Sequence, residues 1–263
     1  MATVKEDWVN IPQGRVFVKI WGAGDESSAE DVSIILLHDS LGCVELWRDF
    51  PERLALATGG RVIAYDRLGF GQSDPYPGAL GLDFVSEEAS GPFSAVCDHL
   101  GLGHFVAFGH SVGGSMAAVC AATYPARCCA LVTESAQAFV EERTLEGIRE
   151  AWQEFMQEGQ LERLKKYHGD KAAWVLSAWV DTWLSDGFRH WNLDAYLPLV
   201  RCPVLVIHGE QDEYGSVLHP ERIASLTAGR AVAEILPNCG HVPHREQEAT
   251  VINTVKAFLA RQA

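Results

Sequence analysis

Short runs of aliphatic and β-branched residues recur along the chain, with longer segments of mixed polarity between them. They fall at residues 16–20, 32–37, 62–65, 105–108, 130–133, 204–207 and 232–236. From residue 32 onward the runs are nearly all apolar, as strands covered on both faces of a parallel sheet are. The first run pairs with residues 9–11 as an antiparallel hairpin around Gly14. Strand, helix and strand in repeated alternation predict an α/β fold, a doubly wound, mostly parallel, eight-stranded sheet flanked by helices.

One interval breaks that rhythm. About seventy residues without a strand-like run separate Thr133 from Val204, where a crossover helix needs far fewer. Leu145, Ile148, Trp152, Phe155 and Met156 share one helical face, and so do Leu176, Trp179, Val180, Trp183 and Leu184. Gly159, Gly169 and Gly187 mark helix ends. Five of the eight tryptophans (Trp152, Trp174, Trp179, Trp183 and Trp191) lie in this stretch. The expectation is a core domain of residues 1–136 and 200–263, with 137–199 inserted as a helical cap over the carboxyl edge of the sheet. Most of the tryptophans are expected to pack the cap, and one or two to line a pocket.

The 263-residue chain is 48% hydrophobic and 21% charged, ordinary values for a folded soluble protein. Its net charge of −14 disfavours nucleic acid and anionic membrane surfaces as partners. The seven cysteines (Cys43, Cys97, Cys120, Cys128, Cys129, Cys202 and Cys239) are odd in number and show no zinc-site or redox-pair spacing. There is no apolar leader-like segment at the start and no span-length apolar stretch, so a cytoplasmic protein is expected. The expected partner is a small-molecule substrate, with a homo-oligomer left open, and neither metal nor cofactor is expected.

Candidate chemistry begins at Gly109-His110-Ser111-Val112-Gly113, directly after the run at 105–108 and before a helix-like stretch at 116–123. A serine on a strained strand-to-helix turn requires glycine on either side, and the turn aims N–H groups of the new helix at a reacting oxygen. A serine hydroxyl is a poor nucleophile near neutral pH without an imidazole to take its proton. Of ten histidines, His241 is favoured because it follows the last strand in a tight Gly240-His241-Val242-Pro243 loop. His244 competes but falls where the final helix starts, and His110 is expected to pack beneath the turn. Histidines 99, 104, 168, 190 and 219 fall away from strand ends. Asp212, past the end of the run at 204–207, is the acid expected to orient the base, with Glu134 a second candidate and Glu213 a solvated neighbour. Oxyanion donors are assigned to the Val112 N–H and to Ser40, in the turn that follows residues 32–37. His38 and Asp39 are expected to brace that turn.

These residues resemble the α/β-hydrolase superfamily from about residue 16 to 258. Besides the serine turn, Asp66-Arg67-Leu68-Gly69-Phe70-Gly71-Gln72-Ser73 is similar to the family's Asp-x-x-Gly-x-Gly-x-Ser loop. Gly209 to Asp212 is similar to its acid turn, and Gly240 to Pro243 with Glu246 to its histidine turn. The resemblance implies a cofactor-free hydrolase with a cap after the sixth strand. The serine argues against the haloalkane dehalogenases and epoxide hydrolases of this fold, which carry aspartate there. One departure stands out: His38-Asp39 replaces the family's usual His-Gly beside the second oxyanion donor. The function expected is hydrolysis of a carboxylic ester with an apolar or aromatic part. A C–C bond hydrolase or acyltransferase on the same residues is the nearest alternative, and a non-catalytic ligand-binding receptor a more distant one.

Overall fold

The computed structural model describes residues 2–22 and 32–262. The chain opens with an antiparallel hairpin, β1 (Thr3–Ile11) and β2 (Gly14–Gly22), in register from Thr3 opposite Gly22 to Ile11 opposite Gly14. The other strands are β3 (Ser33–Leu37), β4 (Arg61–Tyr65), β5 (Phe105–His110), β6 (Cys128–Glu134), β7 (Val204–Gly209) and β8 (Ala231–Leu236). They form one eight-stranded sheet in the order β1-β2-β4-β3-β5-β6-β7-β8, parallel from β4 to β8.

Alternation along the buried strands feeds two apolar layers. Ile34, Leu36, Val106, Phe108, Leu205 and Ile207 face one way, toward α1 (Phe50–Thr58) and, beyond it, a C-terminal helix over Glu248–Leu259. Ile35, Leu37, Phe105, Ala107 and Val206 face the other way, toward α2 (Phe84–Ser90), α3 (Pro92–His99) and α4 (Val112–Thr123). Helix α4 carries small or apolar residues on every side and is buried from Val112 to Ala122, as a helix without a polar face must be. It starts four residues before the predicted stretch, directly after Ser111.

Three helices, α5 (Glu142–Phe155), α6 (Gln160–His168) and α7 (Ala172–Trp183), lie between β6 and β7. Gly159 and Gly169 flank α6 as its caps, as the sequence predicts. The segment leaves and rejoins the core at one place. Phe139 and Asn192 form an antiparallel bridge, and the Leu193 N–H donates to Ala138 O at 2.8 Å. The layer rests on loops that follow strands. His168 accepts from Gly71 N–H, and Thr144 donates to Tyr214 O.

Two expectations need correction here. Leu145 and Ile148 are buried on α5, but Trp152 and Met156 further along the predicted face are 42% and 68% exposed. The core lies under the first half of the helix only. β8 is not covered on both faces, since Ala233, Glu234 and Ile235 are exposed on this edge strand. The remaining helices are α8 (Leu218–Leu226), α9 (Pro243–Glu246) and α10 (Glu248–Leu259); the predicted final helix is broken at Gln247.

Candidate active site

The chain runs outward from β3 to β4 and then returns to place β5 on the other side of β3. Loops diverge at such a switch point and leave a crevice at the carboxyl edge of the sheet. The turns after β3 and β5, carrying Ser40 and Ser111, flank that crevice.

Ser111 has φ 56° and ψ −129°, a strained conformation for a non-glycine residue. The crowding around it explains its glycines. A Cβ on Gly109 would lie 2.0 Å from Gly113 O, and one on Gly113 would lie 2.1 Å from Leu37 O. The Ser111 hydroxyl lies 3.0 Å from His241 Nε2 and 3.4 Å from Gln137 Oε1. His241 Nδ1 lies 2.8 and 2.9 Å from the two carboxylate oxygens of Asp212. An ionised carboxylate only accepts, so Nδ1 carries the hydrogen and the Nε2 lone pair faces the serine hydroxyl. The three side chains predicted as nucleophile, base and orienting acid are thus brought into one chain of contacts.

Each is held from behind. The Tyr214 and Gly215 N–H groups donate to Asp212 Oδ1 at 2.8 and 3.1 Å. Burial would raise the pKa of Asp212, but the charge and hydrogen bond of His241, with smaller help from His208 and the Tyr214 N–H, bring it down to about 2. The Glu246 carboxylate accepts from Gly240 N–H at 2.6 Å and Val242 N–H at 3.0 Å, clamping the loop on either side of His241. His110 is buried beneath the turn as expected, and its Nε2–H donates to His241 O at 2.8 Å.

Glu134 does not reach His241. Its carboxylate pairs with His244 Nδ1 at 2.5 Å, fully buried. Burial works against its ionisation, but His244 and His110 hold its pKa below the usual value. His110, Glu134 and His244 bring one donor atom each within 4.8 Å, a spacing that could hold a metal ion. Glu134 Oε2 is engaged with His244, and the His110 nitrogens face His241 O and, at 3.5 Å, the Asp39 carboxylate, while Glu134 Oε1 is buried without a partner among the described residues. Glu213 is exposed at the cavity rim, as a solvated carboxylate should be.

The Ser111 hydroxyl opens into a cavity of about 380 Å³, lined on its apolar side by Leu41, Ile148, Trp179, Trp183 and Tyr214. A larger cavity of about 490 Å³ between α2 and the 67–77 loop holds Arg67 and Glu88 but no nucleophile beside a base. The N–H of Val112 opens α4 and has no acceptor among the described residues, as the first N–H of a helix does not. Ser40 lines the cavity beside Ser111. At the departure from the family pattern, the Asp39 carboxylate accepts from Leu41 N–H at 3.2 Å and lies near His110, bracing its own turn.

Sequence reasoning passed over several residues here. His168 and His219, placed away from strand ends, are buried and accept from Gly71 N–H and Ala138 N–H. Tyr214, whose ring lies 4.8 Å from that of His241, was not singled out, and neither was Gln137. No local signal marks them, because their partners are remote in sequence.

The comparisons with known proteins bear on the family and the fold. The family profile for the alpha/beta hydrolase fold matches residues 32–168. The mouse protein named serine hydrolase BPHL is 30% identical over 226 residues, covering 81% of this chain and 74% of that protein. A Bacillus subtilis protein named putative 2-succinyl-6-hydroxy-2,4-cyclohexadiene-1-carboxylate synthase is 25% identical over 270 residues, covering 91% and 94%. Among solved structures, a bacterial membrane phospholipase A superposes with a TM-score of 0.78 at 20% identity, covering 98% of this chain and 86% of that one. Likeness at that identity speaks to the fold alone.

Proposed function

Because the chain belongs to the α/β-hydrolase family of enzymes, we propose that it is a serine hydrolase cleaving carboxylic esters of small apolar or aromatic substrates by acyl transfer. The observation carrying this reading is the continuous contact from Ser111 Oγ through His241 to Asp212, opening into a cavity. Ser111 attacks the carbonyl carbon while His241 Nε2 takes its proton, and the imidazolium is stabilised by Asp212. The tetrahedral oxyanion is met by the N–H groups of Val112 and Ser40. His241 then gives the proton to the leaving alkoxide. Water, activated in the same way, attacks the acyl-enzyme and releases the acid and Ser111.

The apolar wall supports the substrate class. Trp179 and Trp183 on α7, with Ile148 on α5, cover the cavity from the inserted segment, and residues 137–199 act in this reading as the cap. A cavity of about 380 Å³ suits a small organic substrate. Among the described residues no helix is long and apolar enough to cross a membrane. A cytoplasmic location belongs to the same reading and rests on the seven unpatterned cysteines.

Fluorophosphonate should label Ser111, and Ser111→Ala should lower turnover of chromogenic esters by on the order of 10⁴-fold or more. Graded acyl lengths, run beside a vinylogous diketone, would show which bond the enzyme prefers. An alanine variant with the parent's ester turnover would sink the assignment.

A further inference from the structure

The peptide joining Asp39 to Ser40 has an unusual setting. Its carbonyl oxygen accepts from Arg67 Nη2–H at 2.7 Å, from His38 Nδ1–H at 2.9 Å and from Gly42 N–H at 3.3 Å. The donor atom on His38 follows from its other nitrogen. His38 Nε2 accepts the Arg67 N–H at 3.1 Å, so Nδ1 must hold the ring hydrogen and the imidazole is neutral. Burial, with the nearby Arg67 charge, holds the His38 pKa well below the usual value. Arg67 is only 3% exposed, its guanidinium stacks 4.2 Å over the Phe70 ring, and an arginine side chain keeps its charge throughout the working pH range.

Among the described residues there are no cis peptides, so the Ser40 N–H points away from the carbonyl that these groups hold. That N–H has no acceptor among the described residues, and Ser40 lines the cavity beside Ser111. A buried cation at the oxygen end of an amide draws electron density toward the oxygen and strengthens the N–H as a donor.

We propose that Arg67 and His38 are positioning residues that lock and polarise the Asp39–Ser40 peptide, making the Ser40 N–H a strong oxyanion donor. The proposal rests on the serine-hydrolase reading above. It also accounts for the Asp39 side chain, which replaces the family's usual glycine. A carboxylate beside an oxyanion donor opposes the developing charge, and the guanidinium on the same peptide offsets it. Neither Arg67 nor His38 touches the reacting atoms.

The test compares Arg67→Met, which removes the charge, with Arg67→Lys, which keeps it. Arg67→Met should lower kcat for a chromogenic ester by about tenfold or more with KM little changed, since only the transition state carries the oxyanion. It should weaken an alkyl boronic acid, which mimics the tetrahedral state, by the same factor, and leave the product alcohol's inhibition constant as it was. Arg67→Lys should recover much of that kcat. In NMR spectra of the unliganded enzyme, the Ser40 amide proton should move upfield in Arg67→Met while that of Val112 stays in place. Should Arg67→Met fail to fold, Arg67→Gln carries the same expectations. Parent kcat in a folded neutral variant, equal loss in the lysine and neutral variants, or an unmoved Ser40 resonance would overturn the proposal. Failure of the underlying reading looks different, because Ser111→Ala would then keep its activity whatever stands at position 67.

Discussion

Two buried imidazole–carboxylate pairs sit side by side at the carboxyl edge of the sheet, and their surroundings differ. His241 and Asp212 are 2.8 Å apart, and the far nitrogen of the imidazole meets a serine hydroxyl that opens into a cavity. His244 and Glu134 are 2.5 Å apart, and their imidazole is packed against Trp47, Phe50 and His110. Acid and base are in direct hydrogen-bond contact in both, and the second contact is the shorter. What separates them is the third partner: a strained serine facing a cavity in one case, an aromatic wall in the other. A carboxylate beside a histidine orients the ring, but chemistry needs a nucleophile on the other nitrogen and room for a substrate. The sealed pair instead ties the end of β6 to α9, beneath the loop that carries His241.

The comparison is most sharply tested at the two acids. Asp212→Asn keeps the shape of the open pair but favours the wrong tautomer of His241. It should lower kcat on the order of 10³- to 10⁴-fold, measured in steady state on a chromogenic ester. Glu134→Gln should do the opposite, leaving kcat of the folded enzyme near the parent's and costing up to about 3 kcal/mol in urea unfolding, because it exchanges a buried charge-assisted hydrogen bond to His244 for a neutral one. A large kcat loss at Glu134 with unchanged stability would erase the distinction between the pairs.

The smallest expected effect is one of pH. Asp212 titrates at about 2 in the folded protein against 3.8 as a free side chain. Its ionised form is therefore favoured by folding, and the stabilisation is complete above about pH 4 and disappears as the pH falls toward 2. It amounts to on the order of 2 kcal/mol. Urea midpoints of the parent and Asp212→Asn should differ most near neutrality and converge between pH 4 and 2. A gap that persists undiminished in acid would show that the carboxylate's charge is not what His241 and the Tyr214 N–H hold.

The strands and the open pair were legible in the sequence because each depends on local rules. A buried parallel strand must be apolar on both faces, and a serine at 2.0 Å crowding needs its glycines, so β5 and the turn at Ser111 declare themselves. His241 and Asp212 follow from their places after β8 and β7. Glu134 was ambiguous, since its partner depends on how β5 and β6 align, with His110 opposite Glu134, and on the path of a loop more than a hundred residues away. Trp152 reads as core by helical period, yet that face of α5 turns toward solvent at Trp152 and Met156. His168 and His219 gave no signal because they accept from backbone N–H groups of distant loops.

The bridge between Phe139 and Asn192 has a bearing on how such a protein can change over generations. Since the two ends of the intervening chain are already fastened together, the entropy of closing that loop grows only slowly with its length. Helices between those two residues can be lengthened, shortened or traded while the sheet beneath keeps its alignment. If the inserted segment is the cap of the proposed function, selectivity is separable from cleavage, and a graft spanning 140–191 is the natural unit with which to alter it.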